Sequence, residues 1–259
     1  MIRLGIDLGG TKTEIEVGKR GSVGLGTPGA LSPTSLAIRN SNSTCLNGRP
    51  LKSDVERALG REIRIANDAN CFALSEALDG AGRGAAVVFG VILGTGVGGG
   101  IVVNGRVLEG PNAIAGEWGH NALPWPAPGE LPGPPCYCGK AGCIETFLSG
   151  PGLARDHEDV TGEKLAPEAI TARLDDAASQ TLARYENRLA RALASVINLL
   201  DPHVIVLGGG LSNVERLYVN VPKLWAQWIF SDVVRTKLVR NFHGDSSGGR
   251  GAALLWENS

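Results

Sequence analysis

Three cysteines and an upstream histidine have the residue types and spacing that point most directly to chemistry. Cys136, Cys138 and Cys143 form a Cys-x-Cys-x4-Cys pattern, and His120 precedes them. Three thiolates and one imidazole complete the tetrahedral set typical of structural Zn²⁺, with no position left open for water. The sequence therefore predicts a structural zinc site that holds a loop in place rather than doing chemistry. The alternative interpretation is three unrelated thiols.

Two glutamates flank this cluster in the sequence. Glu117 lies three residues before His120, and Glu145 lies two residues after Cys143. Carboxylates on a loop held by metal are good acceptors for the hydroxyl groups of a sugar. The alternative is that both are ordinary solvated surface carboxylates, and their spacing leaves both interpretations open.

Three clusters of glycine each follow a predicted strand. They lie at residues 9–10, 94–100 and 208–210, and hydroxyl residues accompany the first two at Thr11, Thr13 and Thr95. A strand that ends in glycines exposes backbone N–H groups that can surround phosphates. One such cluster is commonly only a turn, but three in one chain favour a bound nucleotide. The first cluster matches neither of the two common nucleotide-binding glycine motifs.

Two aspartates stand at the ends of predicted strands. Asp7 precedes the first glycine cluster and is a candidate to hold Mg²⁺ through water, with a capped turn as the alternative. Asp68 follows the strand at 63–65, at a strand–helix junction. Such junctions face the edge of the sheet where ligands bind in α/β proteins, so Asp68 is the candidate general base. Its alternative role is the N-cap of the helix that begins near Ala69.

Strands that alternate with helices must position these residues, which places the chain in the α/β class. Residues 30–53 have the composition of a loop, and Asn104-Gly105 predicts a type I′ hairpin between 101–103 and 106–108. Short apolar runs predict strands at 2–6, 14–17, 23–25, 63–65, 86–93 and 204–207. Apolar periodicity predicts helices at 54–59, 71–78 and 182–200, and further helices around 225–233 and 252–256.

The composition excludes several classes of protein. The 259 residues suggest about two domains. With 43% hydrophobic and 20% charged residues, the composition excludes a largely disordered chain. A net charge of -1 gives no global basic field for nucleic acid or an anionic membrane. No apolar run approaches the ~20 residues of a membrane helix. Without a signal-peptide core, the five cysteines favour a cytoplasmic protein without disulfides.

Several segments together resemble the ROK family of sugar kinases and repressors. The resemblance covers nearly the whole chain, and the zinc pattern is its most specific part. It rests on residues 5–12, 67–70, 94–100, 116–120 and 136–145. Residues 42–44, 46–48, 121–125 and 243–248 resemble the bacterial fructokinases (mannofructokinases) of that family in particular. The neutral charge disfavours a DNA-binding repressor.

The resemblance implies an actin-like ATPase (ribonuclease H-like) fold of two α/β lobes, with the active site in the cleft between them. The smaller lobe would comprise residues 1–80 plus 245–259, and the larger lobe, residues 81–244, would carry the zinc loop. The implied cofactors are ATP, Mg²⁺ and structural Zn²⁺, and the implied assembly is a homodimer that binds neither nucleic acid nor membrane.

The implied reaction is the phosphorylation of D-fructose to fructose 6-phosphate by ATP. The alternatives are a kinase for mannose, glucose or an N-acetylated hexosamine, or a catalytically impaired relative that only binds sugar.

The resemblance also implies roles for individual residues. Asp68 is the expected base, and His120 is expected to bind zinc through one ring nitrogen and face the sugar with the other. The expected sugar ligands are Gly29, Asn42, Asn67, Asp68, Glu117, His120 and Glu145. The expected nucleotide-binding residues are Gly5, Asp7, Gly9, Gly10, Thr11, Lys12, Thr13, Gly94, Thr95, Gly96 and Gly98 on the phosphate side, and Gly208 and Gly209 on the adenosine side.

The chain departs from the family at two places. Cys45 stands where relatives usually carry Trp, and little separates Val17 from Gly26, where relatives carry the rest of a hairpin and a long helix. If strands 14–17 and 23–25 flank the first strand, residues 18–22 must span roughly 10 Å, and five residues reach about 17 Å. One face of the sheet would lose its helical cover and expose apolar surface. A segment missing from the chain and a partner over that face are both open alternatives.

Overall fold

The computed structural model describes residues 2–8, 13–17, 21–41 and 43–256. Within those ranges the strands are β1 (Ile2–Leu8), β2 (Thr13–Val17), β3 (Gly21–Thr27), β4 (Ala30–Leu31), β5 (Ile38–Arg39), β6 (Ile63–Asn67), β7 (Val87–Leu93), β8 (Val97–Val103), β9 (Arg106–Val107), β10 (Val204–Gly208) and β11 (Lys237–Arg240). The helices are α1 (Leu51–Leu59), α2 (Asp68–Leu78), α3 (Ile144–Leu148), α4 (Gly150–Thr161), α5 (Pro167–Ala172), α6 (Asp176–Leu200), α7 (Arg216–Trp225) and α8 (Ser247–Leu254). This alternation confirms the α/β class.

The chain forms two compact units. Unit 1 comprises Met1–Val91, Gly99–Gly116 and Asn241–Ser259, and unit 2 comprises Ile92–Gly98 and Glu117–Arg240. The lobe boundaries that the resemblance implied stay a prediction. No helix in the described ranges is both long enough and apolar enough to cross a membrane.

Unit 1 contains a four-stranded sheet in the order β2-β1-β3-β6. β1 pairs antiparallel with β2, where Leu4 lies opposite Val17, and parallel with β3, where Leu4 lies opposite Val23. β2 and β3 therefore flank β1 on opposite sides. This is the arrangement for which residues 18–22 were predicted to be long enough. Residues 18–20 of that connection lie outside the described residues.

One face of this sheet is covered by the short helix α1. Leu51 and Val55 of α1 pack against the buried cluster of Val23, Leu25 and Ile63. Val23 and Leu25 are each only 2% exposed. The expected loss of cover is therefore wrong at the centre of the sheet, because α1 packs over these side chains.

Glycines let α8 pack directly on the other face. A Cβ atom at Gly5 would lie 1.8 Å from the carbonyl oxygen of Gly249, and one at Gly24 would lie 1.8 Å from that of Ala252. Only residues 252–256 were predicted to be helical, but α8 begins at Ser247. Glycine is a poor helix former, so tertiary packing rather than local propensity decides this helix.

The predicted hairpin is confirmed within unit 1. Val103 of β8 pairs with Arg106 of β9, and Asn104 and Gly105 have φ angles of 50° and 75°. Positive φ at both central residues is the type I′ geometry that Asn-Gly favours.

The helix α6 is the longest element of unit 2. It runs for 25 residues, six earlier than its predicted start, because the Asp175 side chain caps it by accepting a hydrogen bond from the Ala178 N–H at 2.9 Å. It ends at Leu200, and Asp201 and Pro202 follow. In the same unit β10 pairs in parallel with β11.

The predicted helix around 225–233 is wrong. α7 ends at Trp225, a 3-10 turn follows to Trp228, and Ile229 is extended. The Asn198 side chain donates to the Trp228 carbonyl and accepts from the Phe230 N–H, both at 2.9 Å. These bonds use backbone groups that a continuing helix would need, and the aromatic periodicity did not reveal them.

Candidate functional site

The predicted site residues divide into two groups, one in each unit. In unit 1, β6 ends at Asn67 and α2 begins at Asp68. The side-chain oxygen of Asn67 accepts a hydrogen bond from the Ala69 N–H at 2.9 Å, so Asn67 is the N-cap. Asp68 is the first helical residue and also accepts from that N–H, at 2.8 Å. The partial positive charge of a helix N-terminus stabilises a carboxylate at this position.

The Asn67 side chain also reaches the turn after β3. Its amide donates to the Gly29 carbonyl at 3.0 Å. Gly29 has a φ of +81°, and a Cβ atom there would lie 2.5 Å from the Arg39 carbonyl oxygen. The turn therefore requires glycine, and two predicted sugar ligands are brought together.

A small cavity of about 70 Å³ lies beside this pair, lined by residues that include Thr27, Gly29, Asn67 and Asn70. The side-chain oxygen of Asn70 is buried and has no hydrogen-bond partner among the described residues. Sequence analysis gave Asn70 no role of its own, and its position two residues after Asp68 was the available signal. It can accept a hydrogen bond from a ligand hydroxyl or from water.

Asp7 and Asp68 both act on the buried thiol of Cys71. Burial raises the pKa of Cys71 well above its usual value, and the negative charges of Asp7 and then Asp68 raise it further. The Asp7 carboxylate lies against the first turn of α8, since a Cβ atom at Gly248 would be 2.1 Å from its Oδ2 atom. The structure thus brings the predicted magnesium and catalytic carboxylates to one thiol, which stays neutral.

The remaining unit 1 predictions are less informative. Gly5 lies within β1 against α8, so packing explains this glycine and its role toward a nucleotide stays a prediction. Thr13 begins β2 opposite Leu8. Gly9, Gly10, Thr11, Lys12 and Asn42 lie outside the described residues.

In unit 2 the four predicted zinc ligands come together. Their ligand atoms all lie within 4.8 Å of one another. Nδ1 of His120 is 3.6 Å from Sγ of Cys136, and Sγ of Cys138 is 3.6 Å from Sγ of Cys143. Tetrahedral zinc with its usual bond lengths separates such ligands by about 3.5–3.8 Å. The residues therefore fit structural zinc, and all five cysteines are free of disulfides.

The second nitrogen of His120 has a protein partner in this structure. Nε2 lies 3.0 Å from the hydroxyl of Tyr137, which stands between two cysteine ligands and was missed by sequence analysis. Burial raises the pKa of Tyr137, and the charges of Glu145 and Glu117 raise it further. The hydroxyl thus stays protonated beside both carboxylates, and a sugar that binds His120 through Nε2 must replace it.

Glu117 is not an ordinary surface carboxylate. Its side chain is exposed, but desolvation of the carboxyl group raises its pKa. The charge of His120 lowers the pKa of Glu117, and the charge of Glu145 raises it. The three predicted sugar ligands Glu117, His120 and Glu145 therefore interact electrostatically in unit 2. A carboxyl group whose pKa is raised by burial, as at Glu117, is typical of a binding site.

The glycine turn at residues 94–98 follows β7 and is held by hydrogen bonds on both sides. The Gly94 carbonyl accepts from the Gly150 N–H at 2.7 Å, and the Gly98 carbonyl accepts from the Trp118 indole at 3.1 Å. The Val97 N–H donates to Oε2 of Glu145 at 2.9 Å. Thr95 is exposed.

The third glycine cluster lies against the end of β7. Gly208 ends β10, and Gly209 has a φ of +79°. A Cβ atom at Gly209 would lie 2.5 Å from the Leu93 carbonyl oxygen, immediately before the glycine turn. Within unit 2 the two predicted nucleotide segments are therefore adjacent.

The chain is similar to known proteins over most of its length. The profile of the ROK family matches residues 11–259. N-acetyl-D-glucosamine kinases from Photobacterium profundum and Vibrio cholerae are 44% and 43% identical over 251 residues, covering 94% of this chain and 83% of each relative. The crystal structure of the ROK hexokinase from Thermus thermophilus has a TM-score of 0.82 and 28% identity, covering 98% of this chain and 97% of that one.

These similarities confirm the mixed α/β, actin-like ATPase fold that the resemblance implied. Both relatives are N-acetyl-D-glucosamine kinases. The expected particular similarity to fructokinases is therefore not supported.

Proposed function

The chain belongs to the ROK family and is an ATP-dependent sugar kinase, and from this premise we propose that its substrate is N-acetyl-D-glucosamine rather than D-fructose. The similarity to two N-acetyl-D-glucosamine kinases over nearly the whole chain carries the proposal. Mannose, glucose and other N-acetylated hexosamines remain the substrates to compare.

In the proposed reaction Asp68 is the general base. Its carboxylate accepts the proton of the attacking sugar hydroxyl, whose oxygen forms a bond to the γ-phosphorus of ATP while the bond to the ADP oxygen breaks. The N-cap of α2 is Asn67 rather than Asp68. This supports the role of Asp68 as a base, because the helix does not depend on the Asp68 carboxylate for its cap. Phosphoryl transfer depends mainly on positioning and charge stabilisation, and a general base contributes roughly 10²–10⁴-fold.

The sugar ligands that we propose are Gly29, Asn42, Asn67, Asp68, Glu117, His120 and Glu145. Carboxylates and amides at these positions can hydrogen-bond the hydroxyl groups of a hexose. A site built to bind a substrate N–H or O–H group rejects an analogue that lacks it by as much as about 10⁴–10⁵-fold. The acetamido group can therefore give strong discrimination from fructose.

The glycine turn at 94–98 and Gly208 with Gly209 are the proposed nucleotide contacts. Exposed backbone N–H groups in such turns can bind phosphate oxygens. Asp7 offers the oxygen ligands that Mg²⁺ prefers, and the ion would neutralise charge on the phosphates. Zinc held by His120 and the three cysteines has a structural role, since its four ligands leave no open position.

An ADP-release assay with N-acetyl-D-glucosamine, fructose, mannose, glucose and other N-acetylated hexosamines tests this proposal. We expect kcat/KM to be highest for N-acetyl-D-glucosamine, at least about 100-fold above fructose. An equal or higher value for fructose would overturn the assignment. Binding of the sugar by calorimetry without ADP release from any sugar would instead identify a catalytically impaired relative.

A further inference from the structure

The carboxylate of Glu145 connects the predicted metal loop to the glycine turn. Glu145 lies in the first turn of α3, two residues after the zinc ligand Cys143. Its Oε2 atom accepts the Val97 N–H at 2.9 Å. A Cβ atom at Gly96 would lie 2.7 Å from the same oxygen, so the absence of a side chain there makes room for this bond.

A second contact links the segment beside His120, another predicted metal ligand, to the same turn. The indole N–H of Trp118, two residues before His120, donates to the Gly98 carbonyl at 3.1 Å. A Cβ atom at Gly119 would lie 2.2 Å from the Val97 carbonyl oxygen. The glycine turn is therefore in contact with both segments that supply zinc ligands.

The Val97 N–H is one of the backbone donors of the turn, and its direction depends on the peptide between Gly96 and Val97. A hydrogen bond from a neutral N–H to a carboxylate is stronger than one between neutral groups. Glycine on its N-terminal side allows many backbone conformations in the free turn. The bond to Glu145 restricts these conformations, so it can preorganise neighbouring N–H groups for phosphate.

We propose that Glu145 is a positioning residue for the glycine turn at 94–98, in addition to its proposed role as a sugar ligand. Through its bond to the Val97 N–H, the segment that supplies Cys143 sets the geometry of the turn that receives the nucleotide. This inference rests on the proposed function for its nucleotide part only, because the bond itself can be measured without any ligand.

The first experiment measures hydrogen exchange of the Val97 amide in the full chain without ligands. Glu145→Ala removes the carboxylate that accepts the Val97 N–H. Gly96→Ala adds a Cβ atom that must push this carboxylate away. We expect both to raise the exchange rate at Val97 about tenfold or more. Glu145→Gln keeps a carbonyl acceptor and should retain most of the protection. Gly94→Ala is the matched control, because a Cβ atom at Gly94 meets nothing within 4 Å.

The second experiment measures the affinity for ADP in the absence of sugar. Glu145→Ala should raise the Kd about tenfold, while Glu145→Gln should stay within about twofold, because a neutral acceptor still holds the Val97 N–H. Glu163→Ala removes a carboxylate of the same unit that pairs with Arg173 and has no proposed role in binding, and it should leave the ADP Kd unchanged. A bound-zinc measurement on each variant shows whether the metal loop is intact.

The outcomes separate the two proposals. Unchanged Val97 exchange in Glu145→Ala with normal zinc content would overturn the positioning role, whatever sugar the enzyme uses. Equal ADP affinity in Glu145→Ala and the wild type would overturn the proposal that this positioning role affects nucleotide binding. If wild-type protein binds no ADP, the proposed function fails, and the exchange measurements still decide the positioning role.

Discussion

The side-chain amide of Asn67 donates to the carbonyl oxygen of Gly29 at 3.0 Å, which ties the start of α2 to the turn after β3. The same side chain caps α2 through its oxygen. One residue therefore fixes the backbone on both sides of the position where Asp68 enters the helix. Rigid support of this kind is what phosphoryl transfer requires of its protein groups.

Asp68→Asn tests the general base. The amide keeps an oxygen acceptor for the Ala69 N–H but cannot take up the sugar proton. We expect kcat to fall about 10²–10⁴-fold while the sugar Kd changes by less than about threefold. Steady-state kinetics and calorimetry check this. Asp54→Asn on α1 is the matched control, since the Asp54 carboxylate forms an exposed ion pair with Arg57 and has no proposed role in the reaction. Wild-type turnover in Asp68→Asn would remove Asp68 from the mechanism.

Gly29→Ala tests the turn that Asn67 binds. Gly29 and Gly48 have similar φ angles, +81° and +78°, but only at Gly29 does an added Cβ atom meet the backbone, 2.5 Å from the Arg39 carbonyl oxygen. Gly48→Ala should therefore cost only the strain of positive φ, about 1 kcal/mol. Gly29→Ala should cost about 2 kcal/mol or more and should raise the sugar KM.

Urea unfolding and sugar kinetics measure both effects. Because Gly48→Ala carries the same backbone strain without the collision, the difference between the variants isolates the close approach at Gly29. Equal unfolding free energies for the two variants would contradict the geometry of this turn.

Tyr137→Phe tests the support of the predicted metal ligand His120. The variant removes the hydroxyl that lies 3.0 Å from Nε2 of His120. Loss of such a partner lowers metal affinity about 10–100-fold, because it orients the imidazole and fixes its tautomer. Competition with a zinc chelator measures this. Tyr218→Phe is the control, since its hydroxyl donates to the Ser212 carbonyl instead of contacting a predicted zinc ligand, and we expect it to keep wild-type zinc affinity.

Glu130 predicts a pH dependence of stability. Burial raises its pKa, but hydrogen bonds from Arg191 and Arg188 outweigh burial and lower the pKa from 4.5 to about 2. A carboxyl group with a depressed pKa stabilises the folded state above its unfolded pKa, and this contribution is lost as the pH falls from 4.5 toward 2.

Urea unfolding between pH 7 and pH 2 tests this. Glu130→Ala should cost about 3 kcal/mol at pH 7, because it removes the carboxylate that pairs with the buried Arg191 guanidinium, and the difference from wild type should shrink below pH 4.5. Glu163→Ala removes an exposed partner of Arg173 and should cost less than about 1 kcal/mol. A Glu130→Ala penalty that is constant with pH would contradict the assignment.

Local patterns were sufficient for part of this protein. The spacing of His120 with Cys136, Cys138 and Cys143 predicted a cluster whose ligand atoms come within zinc distances. The Asn104-Gly105 turn was also predicted, since its conformation depends on adjacent residues alone. The fructose substrate was not supported by the relatives, because the side chains facing each sugar hydroxyl are not defined by these motifs.

By itself the sequence determined the α/β class, the family, the clustering of His120 with three cysteines and the strand–helix junction at Asp68, because each depends on residues close in the chain or on a repeated spacing. Only the tertiary structure decided that α8 begins among glycines at Ser247, that Tyr137 occupies Nε2 of His120 and that Glu145 holds the Val97 N–H. These depend on which backbone groups approach each other across distant segments. Such contacts cannot be inferred from side-chain type and spacing alone.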